Sequence, residues 1–248
     1  MNGSTAMARP GPLLAIDAAP GVGSVALVRG GEVLSACAVP MRAHAKATDQ
    51  PARPPNEDPL MQAVADTLRG AGLTPFQLAS VACGAGPGGF TSLRIAAAIA
   101  KGLAHAAGCA LLAAPSLAWA AAVRAPASGV WLVTLDALRG ERYVARVQLA
   151  GPVGVPLRGG WPVASYAYLG VHASDAVGAL ADLGAAVGVL NVDADATRAP
   201  IAAGAAALPP SPVDLARWEP AYGRLAEAQA RWEVDHGPLP TADRAGLV

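Results

Sequence analysis

A chain of 248 residues that is 53% apolar is long enough to bury a substantial core, as one large or two small domains. Its 18 basic and 18 acidic side chains cancel, so no overall field attracts nucleic acid or an anionic membrane, and action on RNA is expected only through a partner. Cys37, Cys83 and Cys109 are odd in number, lie in apolar runs and lack C-x-x-C spacing, which predicts reduced core thiols in the cytosol and argues against disulfides or zinc.

The amino terminus has no apolar signal core, and residues 1–11 are expected to be a disordered extension. Leu13 to Asp17, Gly23 to Arg29 and Glu32 to Val39 read as strands of an antiparallel meander that turns at Gly30-Gly31. Arg42 to Pro59 is polar and proline-rich and reads as a surface loop. Leu60, Met61, Val64 and Leu68 then recur at helical spacing, Gly70 and Gly72 end that helix, and Thr74-Pro75 starts a shorter one. Val81 to Gly84 is a short apolar strand that runs into Gly84-Ala85-Gly86-Pro87-Gly88-Gly89 and then into a helix of small residues with Thr91 as the expected N-cap. The longest apolar run, Ile95 to Ala114, is interrupted by Lys101, His105 and Gly108, so it reads as helix plus strand and not as a membrane span. Cys109 to Ala113 is a buried strand and Ser116 to Val123 a helix, which completes a first lobe over residues 12–118.

Strands restart at Val130 to Asp136 and Arg142 to Leu149, joined by Arg139-Gly140-Glu141, and this echo of the opening meander predicts an internal duplication. The second, degenerate lobe is assigned to residues 119–248. It contains a Gly/Pro-rich connection from Gly151 to Pro162, short helices at Ala176 to Leu183 and Ala196 to Ala207 around a strand at Ala186 to Val192, and a terminal helix at Glu219 to Val234.

The glycine loop is built to bring backbone close to something, because its glycines carry no Cβ and Pro87 limits its freedom. Arg94, in the following first turns, opposes the helix dipole, which predicts either an anionic partner or an ordinary snorkelling or paired arginine. The loop fits G-x-G-x-x-G, yet the acidic residue that a dinucleotide fold places about 20 positions on is missing. There is no G-K-[ST] phosphate loop and no G-x-S-x-G elbow. His44, His105, His172 and His236 form no H-x-x-x-H pair, so no metal is expected. Asp17 and Asp136 end two corresponding strands and are either acids facing a cleft or turn and capping aspartates.

LLAID followed by SVAL, GAGPGGFTSLRIAAAIAKGLA, TLDALRGERYV and WEPAYGRLAEAQARWEVDHGPLP together resemble the bacterial TsaB (YeaZ) family. The resemblance implies an α/β protein of the actin-like ATPase, sugar kinase and Hsp70 fold group, with two related lobes that each open with an antiparallel β meander. It implies a cytoplasmic, non-catalytic subunit that pairs with and activates a TsaD catalytic subunit. The complex forms N6-threonylcarbamoyladenosine at position 37 of tRNAs that read codons beginning with A. A TsaE-like ATPase is the further partner, tRNA is reached only through the complex, and whether a homodimer forms without TsaD is left open. ATP/ADP and metal are expected on TsaD and TsaE and no cofactor on this chain alone, since His44 is followed by Thr48 where the TsaD group carries H-x-x-x-H, and Ala18-Ala19 replace the hydroxyls of the family's D-T-S. Gly86, Pro87, Gly88, Gly89, Phe90, Thr91 and Arg94 are then the loop at the partner or nucleotide cleft. Leu60, Val64 and Leu68 with Ala98 and Gly102 are the partner-facing helices. The alternatives are an ATP-dependent sugar-kinase-like enzyme that uses Asp17 or Asp136, and a metalloprotease.

Overall fold

The computed structural model describes residues 11–41, 58–151, 160–183, 185–193 and 198–223. Residues 1–10 of the expected extension over 1–11, most of the proline-rich loop, His44, His236 and the terminal helix beyond Gly223 lie outside the described residues.

The first sheet grows from the meander β1 (Leu13–Asp17), β2 (Val22–Arg29) and β3 (Glu32–Pro40). β4 (Ser80–Gly84) joins β1 in parallel and β5 (Ala110–Ala114) joins β4 in parallel. Period-two alternation sorts the side chains to opposite faces. Leu14, Ile16, Val25, Leu27, Val81 and Cys83 point into one core with helices α1 (Pro59–Gly70) and α2 (Phe90–Ala107). Ala15, Ala26, Ala82 and Ala114 point into another, and these small side chains let α3 (Ser116–Arg124) and a 3₁₀ segment (Ile201–Ala206) come close to the sheet.

α1 starts where sequence chemistry puts it. The Asp58 carboxylate accepts the Leu60 amide at 2.8 Å and Pro59 occupies the first turn, where no backbone donor is needed. α2 ends at Gly108, which is left-handed with φ 61°. Its start differs from expectation. The N-cap is Gly89, and Thr91 lies exposed inside the first turn, because the loop leaves β4 so tightly packed that the helix begins two residues early.

The second sheet has the order β8-β7-β6-β9, from β6 (Gly129–Asp136), β7 (Glu141–Leu149), β8 (Val163–Ala173) and β9 (Gly188–Asn191). β6 and β7 are antiparallel, β7 and β8 are antiparallel, and β6 and β9 are parallel. The first sheet contains the same pattern as β3-β2-β1-β4, so the duplication holds at the level of strand order and direction. Among the described residues the second sheet has no counterpart of β5. α4 (Val177–Leu183) covers Leu132 and Val144 on one face. α3 lies between the lobes, with Trp119 in the same core as Trp131, Val133 and Val147.

Four expectations are corrected. β8 is a strand that the sequence pattern does not announce, because an edge strand exposed along much of its length, interrupted by Gly170 and paired through two register shifts, carries no clean alternation. The helix expected at 196–207 is the 3₁₀ segment Ile201–Ala206. Glu219 to Gly223 is not helical, since Ala221 hydrogen-bonds to the glycine loop instead. The proposed boundary at 118/119 falls inside α3, and the chain returns to the first sheet at β10 (Ser211–Pro212), which pairs with β5.

Candidate functional site: the glycine loop and the outer face of α2

β1 and β4 run side by side and end together, so Asp17 and Gly84 meet at their carboxyl ends. Asp17 is 0% exposed. Its Oδ1 accepts the Ala19 amide at 3.0 Å and its Oδ2 accepts the Ser116 hydroxyl. Ser116 Oγ in turn accepts the Gly86 amide at 3.0 Å, and the Ser116 amide donates back to the Gly86 carbonyl at 3.0 Å. The first residue of α3 thus ties the buried acid to the loop. Burial pushes the Asp17 carboxyl up from its ordinary 3.8, opposed by the hydrogen bonds from Ser116 and Ala19 and by the charge of Arg124.

Asp17 is therefore not an acid facing an open cleft: the Gly84 backbone and the start of α3 close over it. Asp136 is exposed, and its Oδ1 accepts the Leu138 amide at 2.8 Å, which makes it a turn aspartate at the β6–β7 hairpin. Because the folded state holds the Asp17 proton more tightly than the unfolded chain, its contribution to stability is complete below pH 3.8 and is lost as pH rises through the raised folded value. The amide introduced by Asp17→Asn mimics the protonated form at every pH. The stability of wild type relative to Asp17→Asn is expected to fall as pH rises through that window, measured by denaturant melts at several pH values; a flat difference contradicts this assignment.

The other side of the loop meets the chain's own backbone. The Gly89 amide donates to the Ala19 carbonyl at 3.0 Å, and a Cβ on Gly88 would come within 2.4 Å of that same oxygen. Gly86, with φ +85°, would place a Cβ 2.3 Å from the Ala221 carbonyl, whose own amide donates to the Ala85 carbonyl at 2.8 Å. The Phe90 and Tyr222 rings lie 4.6 Å apart between centroids. Arg94 sits 4.5 Å above the Phe90 ring and 5.8 Å from that of Tyr222, and its Nε donates to Tyr222 Oη at 3.3 Å. Its charge is thus met by aromatic faces and a phenol. Sequence reasoning missed Ser116 and Tyr222. Ser116 was legible as a hydroxyl at a helix start after Pro115, whereas Tyr222 was hidden in a segment read as helix.

The inner face of α2, including Leu93, Ala96, Ala100 and Leu103, packs in the core. Its outer face presents Thr91, Arg94, Ala98, Gly102 and His105 exposed, with Ile95 and Ile99 half-buried beside them. A Cβ on Gly102 would meet nothing within 4 Å. The α1 stripe is a correction: Leu60, Val64 and Leu68 are 0%, 1% and 4% exposed and pack against the first sheet, so they offer no surface. Among the described residues no three His, Cys, Asp or Glu side chains group as a metal site, and no helix is long and apolar enough to cross a membrane.

The family model of TsaD, tRNA N6-adenosine threonylcarbamoyltransferase, matches residues 56–154, which include the glycine loop, α2 and the β6–β7 hairpin. Two similar solved structures are both from Pseudomonas aeruginosa. One is a YeaZ, 29% identical over 63% of this chain and 66% of its own length, with a TM-score of 0.47, so the chain spans just under two thirds of it. The other, described as an uncharacterized protein with similarity to peptidase YEAZ, is 26% identical over 86% of this chain and 100% of its own, with a TM-score of 0.58. No curated protein sequence matches the chain. The family match ties the chain to the proteins of tRNA threonylcarbamoyladenosine formation. With the second structure covered from end to end and the family match running through the loop, the chain is similar to YeaZ (TsaB) proteins and has the actin-like ATPase fold.

Proposed function

We propose that the chain is a non-catalytic, cytoplasmic subunit in N6-threonylcarbamoyladenosine formation, and that it pairs with a TsaD-like catalytic subunit through the outer face of α2. The observation that carries this reading is that face. It lies on an 18-residue helix, and Ala98 and Gly102 leave it flat enough for another helix to approach closely while Ile95 and Ile99 supply apolar area. Arg94 would stand at the rim. The closed surroundings of Asp17 support the absence of catalysis here: this acid, at the carboxyl end of β1, already holds two hydrogen bonds and is walled in by Gly84.

In this reading a TsaE-like ATPase joins the pair, ATP/ADP and metal belong to the partners, and tRNA is met only in the assembly. The same flat face would serve a homodimer when TsaD is missing. Mixing the purified chain with the TsaD-like protein of the same genome should give a heterodimer in size-exclusion chromatography and a calorimetric titration endpoint of one to one. Absence of a complex at tens of micromolar, about −6 kcal/mol or weaker, would sink the pairing.

A further inference from the structure

We infer that residues 219–223 are a latch that fills the glycine loop from within the chain, holding the loop, the first turn of α2 and the second lobe together. Three contacts carry this independently. Backbone meets backbone where the Ala221 amide bonds the Ala85 carbonyl and the Ala221 carbonyl faces Gly86, so close that a Cβ there would stand 2.3 Å away. Tyr222 is 5% exposed, with its ring against Phe90 and its hydroxyl accepting from Arg94. A Cβ on Gly223 would lie 2.7 Å from Pro87 Cβ and 2.6 Å from Tyr143 Cε1, so this residue touches the loop and β7 of the second lobe at once.

The latch accounts for features that otherwise lack a purpose. The loop keeps glycine at position 86 although Ala18-Ala19 offer no hydroxyl to a phosphate, because the strap's own carbonyl needs that space. Arg94 tolerates its place in the second turn of α2 because two rings and a phenol solvate it. Opening of the latch uncovers Pro87, Phe90 and Tyr143 together and frees the start of α2.

Amide hydrogen exchange on the full-length chain tests this without any partner, so the result stands whether or not pairing with a TsaD-like protein is found. In Tyr222→Ala, exchange across residues 84–93 should accelerate at least about tenfold, a factor equivalent to about 1.4 kcal/mol, while β1 and β6 keep their wild-type protection. Arg94→Ala changes only an exposed side chain and leaves the core intact; it should accelerate the same segment by a smaller factor, about threefold, on the scale of a cation–π pair. Chymotrypsin cleavage after Tyr222 should be slow in wild type and faster in Arg94→Ala. Unchanged exchange over 84–93 in both variants overturns the latch. So does acceleration spread evenly over β1, β6 and the loop in Tyr222→Ala with no local change in Arg94→Ala, since Tyr222 would then be a plain core residue.

Discussion

Gly84→Ala is expected to cost more than about 4 kcal/mol or to abolish folding. A Cβ at position 84 would stand 1.7 Å from Asp17 Oδ2 and 2.6 Å from Ser116 Oγ. Neither atom is the free end of a flexible chain: Asp17 is locked by the Ala19 amide and Ser116 by the Gly86 amide. The methyl must displace the carboxylate, which leaves the Ala19 amide and the Ser116 hydroxyl buried without partners at about 1–3 kcal/mol each. A suppressor separates this account from a general intolerance of alanine in β4. Asp17→Ala alone is expected to destabilise, yet Gly84→Ala in the Asp17→Ala background should cost far less than in wild type, as read from urea midpoints around the four-variant cycle. Additive effects of the two substitutions would contradict the proposed lock.

Gly102→Arg is expected to weaken pairing with the TsaD-like subunit at least about 100-fold, or about 2.7 kcal/mol, while leaving the isolated chain slightly more stable. The signs oppose each other for separate reasons. Gly102 is exposed in the interior of α2 with open space in front of it, so an arginine there fits without a clash and raises helix propensity by about 0.5–1 kcal/mol. In a helix-to-helix contact the same side chain would fill the space that the partner's backbone needs. Ala98→Arg should behave alike, whereas Met61→Arg on the exposed side of α1 should leave pairing within about threefold. Calorimetric affinity together with a thermal melt reads both quantities on the same samples.

Much of the first lobe was legible because its signals are local and periodic. The meander turns at Gly30-Gly31, Leu60, Met61, Val64 and Leu68 of α1 recur at helical spacing, and a short apolar strand runs into Gly84. The duplication was visible in β6 and β7, which restart an antiparallel meander as β1 and β2 open one. What was not legible depends on distance along the chain. Asp17 and Ser116 are 99 residues apart and Arg94 and Tyr222 128 apart, and no spacing rule predicts either pair. The apolar stripe of α1 was correctly periodic, yet periodicity states that a face is buried and not what buries it; here the first sheet does. In α2, Ala98 and Gly102 lie exposed outside the stripe that packs inward.

The central claim is tested most directly by threonylcarbamoyladenosine formation on unmodified tRNA, with the threonylcarbamoyl-adenylate synthase, the TsaD-like subunit and the TsaE-like ATPase of the same organism, with and without this chain. The proposed role predicts little product without the chain, full activity on its addition and loss of that gain in Gly102→Arg. Equal product in its absence would contradict the role as an activating subunit.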